Sequence, residues 1–218
     1  MSSGDILGVI IVYLYVGILL YIFEFNSKRN LFLRRKLIHI MVGNIVFVLP
    51  LFDTRWVMVW LAAAPFILLT FLISPKSSIG PNSETSNTGH GLGLFYYSIS
   101  WTALAFLFFE NLEIIALGII CMSYGDGIAS LIGKKFGKHR LNFALDKKSL
   151  EGSVAMFFSS LGMISVALFY LGGLPENLLV LPIVVLIATL VEIFSIKGVD
   201  NLLVALVSSI SYYILVYL

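Results

Sequence analysis

Residues 112–138 read LEIIALGIICMSYGDGIASLIGKKFGK, and this stretch decides the fold. It begins as an apolar run long enough to cross a bilayer, which takes roughly 20 residues at about 1.5 Å each. Asp126 then interrupts it between Gly125 and Gly127, and Lys134, Lys135 and Lys138 close it. A membrane helix that ends in lysines ends at the cytoplasmic face. Asp126 therefore lies about seven residues inside that face, roughly 10 Å deep. An acid at such depth costs on the order of 2.5–3.5 kcal/mol by insertion scales, so it calls for a basic partner, a metal ion or a water-filled cleft. Ser123, Asp126, Ser130 and Gly133 recur at spacings of three or four and share one small, polar helix face. Such a face suits either a cleft or close helix packing.

The rest of the 218-residue chain agrees with a membrane setting. Hydrophobic residues make up 59% of it and charged residues only 12%, about half the charge a globular surface carries. The expected fold is a single all-α polytopic bundle over residues 1–218. Its candidate spans are 6–25, 37–51, 56–73, 92–109, 112–132, 150–171, 178–196 and 201–218. Eight is the expected count, with seven as the alternative because the second run is short and Pro182 lies inside the seventh. The N-terminal run has no basic leader or small-residue cleavage site and reads as a retained helix. The single cysteine, Cys121, excludes an internal disulfide and a cysteine-rich metal site.

Charge placement orients the eight spans. Of the 14 basic residues, 13 fall in connections on one side, leaving only Arg55 opposite. By the positive-inside rule that side is the cytoplasm, and both termini are expected outside. The cytoplasmic connections, about 26–36, 74–91, 133–149 and 197–200, also hold most of the unusual chemistry. No internal repeat of the kind that builds many transporters is visible.

Several further polar groups need an explanation. Glu192 lies on the seventh span at a depth similar to Asp126, with Thr189 and Ser195 on its face. Asp200 and Asn201 open the last span, where a carboxylate also favours a helix N-terminus. Asp126, Glu192 and Asp200 together offer hard oxygen ligands of the type Mg²⁺ prefers. In the run 146–153, DKKSLEGS, Ser149 is the expected N-cap and Glu151 falls in the first helical turn. Free N–H groups at that helix start, beside Lys147 and Lys148, suit a phosphate. The run 34–44, RRKLIHIMVGN, puts Lys36 and His39 at a membrane boundary, and His90 lies between two glycines. The stretch GIASLIGKK lacks the spacing and the hydroxyl residue of a Walker A loop, and no G-x-S-x-G elbow occurs.

GDGIASLIGKKFG followed by KKSLEGS resembles the signature of the CTP-dependent lipid kinases, a family that includes dolichol, phytol and farnesol kinases and the CTP-dependent diacylglycerol kinase. The matching positions are Gly125, Asp126, Ala129, Gly133 and Gly137, then Lys148, Ser149, Glu151, Gly152 and Ser153. RKLIHIMVG, EIFSIKGVDNLLV and, less distinctively, GLGLFYYSIS also look like this family. The resemblance implies transfer of the γ-phosphoryl group of CTP, with a divalent metal such as Mg²⁺, to the hydroxyl of a lipid alcohol. On that basis Asp126 is expected at the metal, with Glu192 and Asp200 as further ligands. Lys134, Lys135, Lys147, Lys148, the Ser149 helix start and the glycines are expected around the nucleotide. Glu151 or His39 would take the hydroxyl proton, and Lys36, Asn201 and His90 are further site candidates. The expected partners are CTP, a lipid alcohol and the bilayer, with no nucleic acid.

Two other classes make different demands. A membrane cytidylyltransferase uses the same acids, magnesium and CTP, but its H-G-G-x-x-D-R motif is missing here. A transporter needs polar residues through the full membrane depth, and the outer halves of the spans are plain.

Overall fold

The computed structural model describes residues 1–25, 31–72, 74, 76, 92–142, 144, 147–196 and 198–218. His90, Lys28, Arg29, Asp146 and Lys197 lie outside the described residues. Among the described residues, eight helical segments follow one another: α1 (Ser3–Leu20), α2 (Leu31–Val42), α3 (Arg55–Leu72), α4 (Gly93–Phe108), α5 (Leu112–Phe136), α6 (Leu150–Leu171), α7 (Val180–Phe194) and α8 (Asp200–Tyr217). Five of these stretches are long and apolar enough to cross a membrane, and α4 and α7 are shorter apolar helices. The protein is an all-α polytopic membrane protein.

The second expected span differs most from its sequence reading. Its helix starts at Leu31, so Arg34, Arg35 and Lys36 are helical rather than loop residues. The chain then tightens into 3₁₀ turns at Gly43–Phe47 and Leu49–Leu51, the latter holding Pro50 in its first turn. A 3₁₀ turn rises about 2.0 Å per residue against about 1.5 Å, so this run reaches further than its length suggests.

Helix α5 is the centre of the bundle. Its most apolar window is 78% buried, against 17% for α1. Residues Ile114 to Met122 are almost wholly enclosed, and α2, α4, α6 and α8 surround them. Small residues make this possible. Gly118 faces Ala205 and Ser209 of α8, and the Ser209 hydroxyl donates to the Ile114 carbonyl at 2.8 Å. A Cβ at Gly125 would come 2.5 Å from Ser160 Oγ on α6. Without a hydrophobic drive between helices in lipid, such close backbone approach is what associates them. Immediately before Asp126 the helix widens into a π turn, Cys121–Gly125. The outer surface carries exposed apolar rings such as Trp60, Phe158 and Phe169, as a lipid-facing surface requires.

The end of the bundle remote from Asp126 is tied by an acid that drew no attention in the sequence. Asp5 is fully buried and accepts from the Ser2, Asp53 and Thr54 main-chain N–H groups and from the Thr54 hydroxyl. It pins the start of α1 to the α2–α3 connection. With its carboxylate so fully used, Asp5 is structural.

Candidate active site

Apart from Asp5, the buried charges of the described residues gather in one cavity of about 360 Å³ at the end of the bundle where α5 stops and α6 and α8 begin. Asp126, 4% exposed, stands on its floor. Its Oδ2 accepts from Lys36 Nζ on α2 at 2.7 Å, and His39 Nε2 lies 3.5 Å away. The same Nε2 is 3.0 Å from the Met122 carbonyl oxygen. A carbonyl only accepts, so Nε2 carries the ring proton and Nδ1 holds the lone pair. Asp126 Oδ1 accepts a long hydrogen bond from Ser130 Oγ at 3.4 Å. The intramembrane acid thus has its partner: a lysine one helical turn from the histidine, both supplied by α2.

A second buried pair faces it. Lys148 Nζ bonds Glu192 on α7 and lies 3.9 Å from Asp200 Oδ2 on α8. Burial alone would push the Lys148 ammonium below the ordinary lysine range. The Glu192 carboxylate beside it, helped by Asp126 and Asp200, outweighs burial and holds it above that range. Asp200 Oδ1 accepts from the main-chain N–H groups of Gly198 at 2.8 Å and Asn201 at 2.9 Å, which leaves Oδ2 toward Lys148. Arg35, Lys134, Arg140 and Lys147 add positive charge to the lining, so cations outnumber the three carboxylates.

The expected residues divide between those the structure brings to this cavity and those it does not. Lys36, His39, Asp126, Gly133, Lys134, Lys147, Lys148, Ser149, Gly152, Ser153, Glu192, Asp200 and Asn201 line it. Gly125, Lys135, Gly137 and Glu151 do not. Glu151 instead accepts from the His139 main-chain N–H at 3.1 Å and pairs with His139 Nδ1 at 2.8 Å, clasping the basic loop. The helix start expected to bind phosphate is already used. The Leu150 N–H donates to the His139 carbonyl at 3.0 Å, and the Gly152 N–H donates to the N-capping Ser149 Oγ at 3.2 Å. Gly133 and Gly152 serve the α5–α6 contact first. A Cβ at Gly152 would sit 2.9 Å from the Ala129 carbonyl oxygen and 3.4 Å from Gly133 Cα.

The three carboxylates do not form one ligand set. Among the described residues no group of three His, Cys, Asp or Glu side chains is placed to hold a metal ion. Glu192 is taken up by Lys148. Among the described residues, Asp126 Oδ1 accepts only a long hydrogen bond from Ser130 Oγ at 3.4 Å, and Asp200 Oδ2 has Lys148 Nζ at 3.9 Å. That fits a cation such as Mg²⁺, which is commonly held by one or two carboxylates completed by substrate phosphates and water. Residues of the lining that sequence reading gave no role include Phe32, Gly93, Leu94 and Gly198, which carry no charge or hydroxyl to draw attention.

Fold and cavity together define a helical membrane protein with a positively rimmed, acid-floored cavity at one end of its bundle. Over 206 residues the chain is 31% identical to a phytol kinase of Synechocystis sp., covering 90% of this chain and 86% of that one. It is 33% identical over 216 residues to phytol kinase 1, chloroplastic, of Arabidopsis thaliana, covering 88% and 70% respectively. A probable phytol kinase 2, chloroplastic, of Oryza sativa subsp. japonica is 34% identical over 163 residues, covering 66% and 53%. No family model matches the chain, and no solved structure matches it. The chain belongs to the phytol kinase family.

Proposed function

We propose that the protein is a lipid kinase that transfers the γ-phosphoryl group of CTP to the hydroxyl of a membrane isoprenoid alcohol of the phytol, geranylgeraniol or polyprenol type at the cytoplasmic face. The observation that carries this reading is the meeting of the Lys36–Asp126 and Lys148–Glu192 pairs in one cavity with Lys134, Arg140 and Lys147. Relatives named phytol kinases support an isoprenoid alcohol as acceptor.

Phosphoryl transfer needs little covalent help from a protein; it needs positioning and neutralised charge. The alcohol oxygen bonds to the γ-phosphorus as the bond from that phosphorus to the β-bridging oxygen breaks, leaving CDP and a lipid phosphate. Lys148, Lys134, Arg140 and Lys147 hold the triphosphate as charged donors. Asp126 and Asp200 would hold a divalent cation, which would supply neutralising positive charge to the phosphates. His39 takes the hydroxyl proton on Nδ1, since Nε2 is engaged with the Met122 carbonyl. Glu151, turned toward His139, is left with the loop rather than the chemistry.

The test is purified protein with a panel of nucleoside triphosphates and lipid alcohols, with products resolved by mass. CDP and a lipid monophosphate are expected. Pyrophosphate with a CDP-lipid would overturn the kinase reading in favour of a cytidylyltransferase.

A further inference from the structure

Lys148 occupies the ground between the acids that the sequence offers to a metal ion. It precedes the N-cap of α6 and lines the cavity, with 9% of its side chain exposed. Its ammonium bonds Glu192 and has Asp200 Oδ2 at 3.9 Å, while Asp126 acts on it through space. Glu192 and Asp200 keep 4% and 5% of their side chains exposed and line the same cavity, so both are reached from it. An ammonium between carboxylates is a monovalent stand-in for the hard cation that such oxygens take. The other cations close by have different places. Lys36 belongs to Asp126 at 2.7 Å, and Arg35, on the same helix, acts on Asp126 and Asp200. Among the described residues, Lys148 is the cation bonded to Glu192.

The backbone of Lys148 belongs to the phosphate side of the cavity. Its carbonyl accepts from the Leu141 N–H at 3.1 Å, and Arg140 and Ser149 form a short antiparallel bridge. Lys148 is thus tied to the loop that brings Arg140 and Lys147, cations suited to phosphate, into the lining. A four-carbon stem lets an ammonium change partner while its backbone stays fixed. A triphosphate gathered by Arg140 and Lys147 competes with Glu192 for that ammonium. Once Lys148 turns to the phosphates, Glu192 and Asp200 lose their counter-charge in a buried setting, which is costly until another cation replaces it. The divalent cation that accompanies a nucleoside triphosphate is that replacement. We propose that Lys148 is an exchangeable counter-cation: it neutralises Glu192 and Asp200 while the cavity is empty, and it moves to the phosphates as a divalent cation takes over the two carboxylates. This rests on the kinase reading for the nucleotide and the cation. The exchange makes each ligand a condition of the other's binding, so cation and nucleotide enter as a pair.

Two gains of binding test this, and damage to the fold produces neither. In the full chain in micelles, Mn²⁺ without nucleotide is followed by its electron paramagnetic resonance signal. The native chain is expected to hold it weakly, and Lys148→Met roughly tenfold more tightly, because the vacated carboxylates need a cation. Lys147→Met removes an equal charge from the phosphate side and should bring no such gain. In the converse experiment, calorimetry follows CTP in the presence of a chelator. Glu192→Gln keeps an acceptor beside Lys148 but releases its charge, so metal-free CTP should bind several-fold more tightly than to the native chain. The proposal is overturned if the native chain binds Mn²⁺ alone as tightly as Lys148→Met does, or if Lys147→Met gains as much. It is also overturned if Glu192→Gln leaves metal-free CTP binding unchanged, and this arm decides where Lys148→Met does not fold. Mn²⁺ binding does not depend on turnover, so failure of the kinase reading appears separately, as the absence of a lipid phosphate in the product analysis.

Discussion

Lys148 and Glu192 meet inside the protein although 44 residues separate them, one just before α6 and the other near the end of α7. Both are nearly fully buried, so each is the other's main compensation for leaving water. Removing one partner of a buried pair strands the other charge, which costs about 3–5 kcal/mol, whereas replacing both is far milder. Lys148→Met should therefore lower thermal stability in micelles sharply, and Lys148→Met with Glu192→Gln should recover most of the loss. Equal melting of the single variant and the native chain would show that the pair carries no such weight.

The same pair sets a pH dependence. A lysine held above its ordinary pKa in the folded state contributes stability that is fully present below the unfolded pKa. That stability is lost as pH rises through the raised folded value. The difference in melting between the native chain and the double variant should thus stay level from about pH 7 to about 9 and shrink only in stronger alkali. A difference that fell away near neutrality would contradict the assignment.

Asp126→Asn keeps the shape of the floor but removes the charge that pairs with Lys36. Under the proposed function, turnover should drop by roughly 100-fold or more while the helical content is unchanged. Native turnover in a folded Asp126→Asn protein would remove the centre of the proposal.

His39 and Glu151 should separate cleanly. His39→Ala is expected to lower kcat by roughly 10²- to 10⁴-fold as the loss of a general base. Glu151→Gln loosens the clasp on His139 and should raise the KM for nucleotide a few-fold with kcat little changed. Steady-state kinetics in both substrates distinguishes these outcomes, and a large kcat loss in Glu151→Gln would return it to the chemistry.

Gly152→Val tests the contact between α5 and α6. Its first added carbon already meets the Ala129 carbonyl oxygen, so the helices must part, at a cost of about 1–3 kcal/mol. A melting temperature equal to the native one would mean the contact is looser than its geometry indicates.

Much of this was legible in the residues. Apolar runs between turn signals locate the described helices apart from the start of α2, because length and hydropathy are local properties. Spacing also put Ser130 on the Asp126 face, and both line the cavity. Partnerships were not legible, because they depend on which helices adjoin. Nothing in the order of residues says that Lys36 reaches Asp126, or that Lys148 takes Glu192 away from a metal set. The glycines misled for a related reason. Gly125 reads as room for a nucleotide until Ser160 and Met156 of α6 are found against it. Asn201 was singled out in the sequence without a role, since its bond to the Gly93 carbonyl exists only once α4 lies beside α8.

The π turn at Cys121–Gly125 makes α5 two helices in independent phase. One residue advances an α-helix by about 100° of rotation, and the extra residue of a π turn inserts that offset between the two halves. The outer half is set by Gly118 against α8, and the inner half by Asp126 against α2. Deleting a single residue from the turn would let α5 run straight through with every outer contact intact. It would also swing the carboxylate more than a quarter of a circle away from its lysine. The bulge works as an angular adjuster, letting the membrane scaffold and the chemistry be tuned separately along one continuous rod.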